Sequence, residues 1–255
     1  MAIWRRMPGS TTGGATWPAL RRQIAIYPPE PSGRSGVCAI CRGPARGGYA
    51  RCYQCAQHDL LGPGLLADAV APISYAVKGT AFARGLWRYK SRRSPDPAAR
   101  AALLALLLAF LHDHGRCVWR RAGMPAPGRL AVVPSGCGRP GPHPLLEMAG
   151  PYLRLPMTGL VIRPGEQGRD PNPDRFISER TGPRASVLLL DDSWVSGASA
   201  QSAAAAHKRA GARHVAVVTL GRHLDPADER SAPLAARLAP CGYDPDSCAV
   251  HLARP

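Results

Sequence analysis

The sequence predicts an α/β fold: a mostly parallel sheet flanked by helices, with a small cysteine-based module ahead of it. Three observations carry this. Strand-like and helix-like segments alternate from Leu130 to Leu220, and such alternation builds parallel sheets. An apolar run, Val187-Leu188-Leu189-Leu190, ends in Asp191-Asp192 and a small hydroxyl-rich turn, after which an Ala-rich helix begins. Two Cys-x-x-Cys pairs, Cys38/Cys41 and Cys52/Cys55, lie close together in the first quarter of the chain.

The elements follow in order. Residues 1–35 are rich in Pro, Gly, Ser and Arg, which bury too little apolar surface to fold, so a disordered basic tail is expected. Residues 36–60 hold both cysteine pairs. Residues 61–127 read as a helical connecting segment. Gly62-Pro63-Gly64 opens it as a turn, a helix runs from about Ala81 to Lys90, and Ser94-Pro95-Asp96-Pro97 breaks that helix and starts the next. The dense leucines of Ala98 to His114 mark a buried helix. Pro125-Ala126-Pro127-Gly128 is a linker, and the core is expected over 128–222. Within it, Leu130 to Val133, Gly159 to Ile162, Val187 to Leu190 and His214 to Leu220 read as strands, and Pro144 to Ala149 and Ala200 to Ala210 as helices. Residues 223–255 form a C-terminal extension, and no internal repeat is visible.

Each Cys-x-x-Cys pair can present two thiolates to one tetrahedral Zn²⁺, with a short hairpin between the pairs closing the site. Four thiolates without His or water suit a structural rather than a catalytic ion. Disulfides and free buried thiols are the competing readings, and disulfides call for an oxidising compartment. Cys241, Cys248 and His251 raise the question of a second metal. Three ligands are too few to close a site unless Cys117, Cys137 or an acid joins, so core thiols and a surface His are expected.

The stretch from Val187 to Ser199 reads as strand, loop and helix start. Open α/β sheets bind ligands outside the carboxyl ends of their strands, and the first N–H groups of a helix attract anions. Ser193, Ser196 and Ser199 add hydroxyls, Ala198 adds no bulk, and Gly197 lets the backbone approach closely. Asp191 and Asp192 suit sugar hydroxyls or a water-bound Mg²⁺. The plainer reading is a strand–turn–helix junction with an Asp cap.

This stretch resembles the phosphoribosyl-pyrophosphate signature of type I phosphoribosyltransferases. The resemblance implies that Asp191 and Asp192 bind the ribose 2′ and 3′ hydroxyls and that the 193–199 loop binds the 5′-phosphate. Val195 stands where a Thr is usual, which removes one donor, and Trp194 is bulky for its slot. Together with the cysteine pairs, the chain is similar to the ComF family of competence-associated phosphoribosyltransferase-like proteins, over about residues 36–222. Tyr75-Ala76-Val77 through Leu86-Trp87-Arg88-Tyr89-Lys90 loosely matches the family's joining segment, and Val132-Val133-Pro134-Ser135 with Arg139-Pro140-Gly141 its Val-Pro and Arg-Gly segments.

The resemblance implies a zinc-ribbon-like module and displacement of pyrophosphate from ribose carbon 1 by a nitrogen nucleophile, with Mg²⁺ accompanying the pyrophosphate. Ser135 and the Gly136-Cys137-Gly138 turn are candidates to cradle pyrophosphate through backbone amides. The polar, Pro-containing stretch 163–184 is the expected closing loop, with Arg163 and Arg175 as candidate pyrophosphate contacts. No residue is assigned as general base, and the acceptor is open.

The chain has 255 residues and a formal net charge of +16. Residues 1–127 carry 18 Lys/Arg against 5 Asp/Glu, and residues 128–255 carry 15 against 12, so the charge is concentrated in the first half. That pattern suits nucleic acid. Arg84, Arg88, Lys90, Arg92 and Arg93, with Trp87 and Tyr89 among them, are candidates to pair phosphates and stack single-stranded DNA bases. A non-catalytic single-strand DNA-binding role in uptake or repair is therefore a second functional class, and a base-salvage enzyme a third. The longest apolar run, Ala101 to Leu111, is too short to span a membrane, and no signal peptide is visible. Eight Cys without an export signal lead to a cytoplasmic expectation.

Overall fold

The structure, a computed structural model, describes residues 36–135, 141–166, 168, 170–239 and 248–250. The expected tail 1–35, the 136–140 turn with Cys137, and Gln167, Arg169, Cys241 and His251 lie outside the described residues.

A four-stranded, fully parallel sheet is flanked by helices on both faces. Its order is β1 (Ala69–Val77), β6 (Ala212–Leu224), β5 (Ala185–Trp194) and β2 (Arg129–Val132). Burial on both faces explains why these strands read as apolar runs rather than alternating ones. One face, with Leu130, Leu188, Leu190, Ala216 and Val218, packs against α2 (Ala81–Arg88), α3 (Pro97–Arg121) and α4 (Pro144–Ala149). The other, with Ala131, Val187, Leu189, Val215 and Val217, packs against α5 (Ala198–Arg209) and the cysteine module. The alanines of α5, Ala200, Ala203 and Ala204 among them, let this helix lie close to the sheet. Helix α6 (Ala232–Leu238) closes the far ends of β1 and β6 through Leu234 and Leu238 against Tyr75, Val77 and Leu224.

Several expectations change. The segment 61–127 is not wholly helical: it contributes β1, an edge strand, so the sheet starts long before residue 128. Pro72 within β1 is tolerated because an edge strand leaves one side of its backbone unpaired. The Gly159–Ile162 strand does not join the parallel sheet. As β3 (Leu160–Ile162) it pairs antiparallel with β4 (Phe176–Ser178), a strand inside the stretch expected to be an irregular loop. Strand β5 continues through both acids to Trp194, which shortens the following loop to residues 195–197.

Helix α3 runs on past His112 and Asp113 to Arg121. Asp96 caps it, its carboxylate accepting from the Ala98 and Ala99 N–H groups at 3.0 Å each, with Pro97 in the first turn. Among the described residues it is the one helix long and apolar enough to cross a membrane, and most of that stretch is buried within the fold.

Candidate functional site

Two structures meet at the carboxyl end of β5: the Asp191–Ser199 segment and the four-cysteine cluster. In the cluster, Cys38, Cys41, Cys52 and Cys55 are all buried, and their sulfurs lie within 4.8 Å of one another. The first pair sits in a tight knuckle, with Cys38 N–H donating to Gly43 O at 2.8 Å and Val37 bridging Pro44. Cys52 caps and Cys55 lies within α1 (Tyr53–Gln57). The Ile40 and Gly43 N–H groups point at Cys38 Sγ and Cys41 Sγ, each at 3.4 Å, the geometry of amides supporting thiolates. Cys41 Sγ and Cys52 Sγ are 3.8 Å apart. Zn–S bonds of about 2.3 Å at tetrahedral angles give an edge of about 3.8 Å. The cluster is compatible with a structural zinc site.

Arg222, on β6, supplies charge to this cluster. It is buried, and although burial opposes its charge, the thiols of Cys41, Cys52 and Cys55 hold its guanidinium above the ordinary range. It presses on Gly43, where a Cβ would come within 2.1 Å of its Nη2, so only glycine fits. Its Nη1 donates to the carbonyls of Trp194 (3.0 Å), Val195 (3.0 Å) and His223 (2.7 Å). One side chain thus touches the cysteines and fixes the turn that leads into α5. Nothing in the sequence around Arg222 signals this, because the partners are brought together only by the register of β5 and β6.

The turn itself is built around Trp194. Its indole is buried rather than filling the loop, and it meets the His58 ring edge-on at 6.0 Å. Gly197 caps α5 with a left-handed backbone, φ 84°. A Cβ there would fall 2.1 Å from Trp194 Cζ2, so this glycine is required twice over, by conformation and by space. Ser196 Oγ accepts from Ala198 N–H at 3.3 Å, and Ser199 Oγ accepts from Arg175 Nη1 at 3.2 Å. Arg175 is buried and also donates to Asp170 O. It therefore stands at the helix start and not beside the acids. Arg163 is aimed elsewhere, its Nε donating to Asp174 O at 2.8 Å. The 163–184 stretch is docked rather than open: Asn172 N–H donates to Ser202 Oγ (2.9 Å) and Arg209 pairs with Asp174 (2.8 Å).

The acids differ from each other. Asp191 is half-buried and curls along the strand to accept from Asp192 N–H at 2.8 Å and from the Ser193 N–H. Burial and the charge of Asp192 push its carboxyl up to about 7, against the pull of Lys90 and those amides. Asp192 is buried and accepts from Tyr89 OH (2.8 Å) and Lys90 Nζ (2.6 Å), both on Oδ2. Lys90 and Tyr89, expected on a nucleic-acid face, thus belong to the acid site, and the fully buried Tyr89 ring cannot stack on a base. Both arrive just beyond α2, whose crossover from β1 was hidden by the missed strand. Ser135 lies three residues past β2, level with the acids, since Val132 pairs with Leu190 and Val133 N–H donates to Leu190 O at 2.9 Å.

The remaining basic candidates stay on the surface. Arg84, Trp87 and Arg88 are exposed and share one face of α2 by their i, i+3, i+4 spacing. Arg84 donates to Gly79 O, Arg88 lies 4.0 Å from Asp96, and Arg92 and Arg93 are exposed. No known protein family has a profile that matches this chain, and no curated protein is significantly similar to it.

Proposed function

We propose that this chain is a phosphoribosyltransferase-like protein of the ComF type, which binds phosphoribosyl pyrophosphate with Mg²⁺ at the carboxyl ends of β2 and β5. The observation that carries this is the juxtaposition of the Asp191–Asp192 pair with a helix start whose N-cap, Gly197, holds a left-handed turn. The acids accept the ribose hydroxyls, Asp192 through the carboxylate oxygen that Tyr89 and Lys90 leave to a ligand. The amides of 196–199 and the Ser196 and Ser199 hydroxyls hold the 5′-phosphate, and Arg175, bonded to Ser199, supplies its counter-charge. Lys90 stands on the ribose side and takes the role first given to Arg163 and Arg175, a cation for the pyrophosphate.

The reaction is displacement of pyrophosphate from carbon 1 by a nitrogen nucleophile. Its transition state is dissociative and depends on positioning and on charge stabilisation, which these residues provide. Mg²⁺ enters with the pyrophosphate and offsets its charge. The four cysteines hold Zn²⁺, and Arg222 carries the rigidity of that site to the 194–197 turn.

The test is thermal unfolding with phosphoribosyl pyrophosphate and Mg²⁺. Ligand at about 100 times its dissociation constant adds roughly 2.7 kcal/mol, so wild type should melt several degrees higher and Asp191→Ala/Asp192→Ala should not. Equal shifts in both proteins, or none in wild type, refute the site. Pyrophosphate release on adding nitrogen acceptors then separates transfer from binding alone.

A second reading has its own observation. Trp87 is 70% exposed between Arg84 and Arg88 on one face of α2, with Arg92 and Arg93 beyond. An exposed aromatic among cations suits single-stranded DNA. Affinity that falls steeply with salt, drops in Trp87→Ala and ignores Asp192→Ala would place DNA there.

A further inference from the structure

A second group of metal-ligating side chains lies on the opposite face of the sheet from the four cysteines. His114 and Cys117 stand one turn apart on α3, three residues in sequence and therefore on one face of the helix. Cys248, from the far end of the chain, completes the group. One donor atom from each lies within 4.8 Å of the others, and His114 and Cys248 are buried while Cys117 is half-buried. These residues sit in the main core: Phe110 meets the His114 ring at 5.4 Å, and Val250 packs beside Cys248.

From these positions we infer that His114, Cys117 and Cys248 form a second Zn²⁺ site. The donor set fits. Two thiolates and one imidazole are the ligands Zn²⁺ prefers, and with Zn–S of about 2.3 Å and Zn–N of about 2.0 Å the donors of one tetrahedral ion stand about 3.5–3.8 Å apart, inside the observed limit. The charges fit as well. Two thiolates and a neutral imidazole neutralise Zn²⁺ without burying net charge. Among the described residues these three are the donors that come together.

The site has a mechanical consequence. Ala249, next to Cys248, is fully buried, and its carbonyl accepts from Arg42 Nε at 2.6 Å. Arg42 belongs to the first cysteine knuckle, where its Nη1 also donates to Cys38 O at 3.1 Å. Residues 248–250 are thus gripped from two sides, by the cysteine module through Arg42 and by α3 through the second ion. The C-terminal segment would connect the two zinc sites, one per face of the sheet. The earlier expectation placed Cys241, Cys248 and His251 as core thiols and a surface His. The fold keeps Cys248 in the core and brings it to a His-x-x-Cys pair more than a hundred residues upstream; Cys117 is the donor named there as able to join, and His114 is the one that reading did not include.

The experiment is metal analysis of the full chain, expressed with zinc, purified without chelator and desalted. Two zinc per chain are expected in wild type and one in each of Cys117→Ser and Cys248→Ser. X-ray absorption at the zinc edge of wild type gives a readout that needs no variant: the seven named ligands of the two sites average three sulfurs and about half a nitrogen per zinc, whereas the cysteine module alone gives four sulfurs and no nitrogen. One zinc in an all-sulfur shell, or two zinc retained by the Cys117→Ser/Cys248→Ser double variant, overturns the second site.

Discussion

Gly197→Ala is the substitution whose cost can be worked most directly from this structure. The backbone there has φ 84°, so any L side chain pays roughly 1 kcal/mol for the left-handed conformation. The added methyl would stand 2.1 Å from Trp194 Cζ2, in a packed region where Trp194 also meets His58 and cannot yield freely. Overpacking of this kind costs about 1–3 kcal/mol, so the total is about 2–4 kcal/mol. The two contributions can be separated. In a Trp194→Leu background the indole is gone and only the conformational cost remains, so Gly197→Ala should then destabilise by about 1 kcal/mol. Equilibrium urea unfolding of the four proteins reads both numbers, and the difference, about 1–3 kcal/mol, is the coupling energy. Additive effects, or a Gly197→Ala variant as stable as wild type, would refute the geometry of the turn. Phosphate binding should weaken in Gly197→Ala even where the protein stays folded, because the amides at the start of α5 move with the turn.

Three further outcomes follow from the same contacts. Arg222→Met removes the counter-charge of the cysteines and the donor for three carbonyls; loss of one partner from a buried charged network costs about 3–5 kcal/mol, and zinc retention and phosphoribosyl pyrophosphate affinity should fall together by metal analysis and calorimetry, while Arg84→Ala changes neither. Asp191 is held protonated up to about pH 7, whereas an unperturbed Asp ionises near 3.8. Because the ligand hydroxyls and Mg²⁺ favour the ionised form, affinity should rise as pH climbs through 7 and then level off, and Asp191→Asn should flatten this profile. By the same raised value the folded state binds more protons than the unfolded one between pH 4 and 7, so this group makes stability fall as pH rises across that window, a slope that Asp191→Asn removes. Cys38→Ser should release zinc from the cysteine module and expose residues 36–60 to protease, and a variant retaining that zinc and its protease resistance would contradict the metal assignment.

Much of the site was legible because it is local. The Val187–Ser199 stretch carries strand, acids, turn and helix in one run, and the helix Pro144–Ala149 lies where the sequence put it. The four cysteines could be paired from their spacing alone. What escaped was set by tertiary contact. Strand β1 was hidden by Pro72, which reads as a break within a strand, yet its buried pairing with β6 outweighs local preference. Lys90 reads as one more surface cation until the β1–α2 crossover delivers it to Asp192. Arg222 sits in a strand whose apolar neighbours say nothing of cysteines 170 residues earlier. Trp194 looked too bulky for a loop because the strand continues through it and turns its indole inward.

If one ligand spans the acids and the start of α5, calorimetric titration with phosphoribosyl pyrophosphate and Mg²⁺ detects a single site that depends on both. Hydrogen bonds to charged groups contribute about 1.5–3 kcal/mol each, so Asp191→Asn/Asp192→Asn should weaken binding by more than about a hundredfold. One saturable site in wild type and that loss in the variant are the predicted results. Equal affinity in the two proteins, or no binding to either, would rule out a ligand held by both acids.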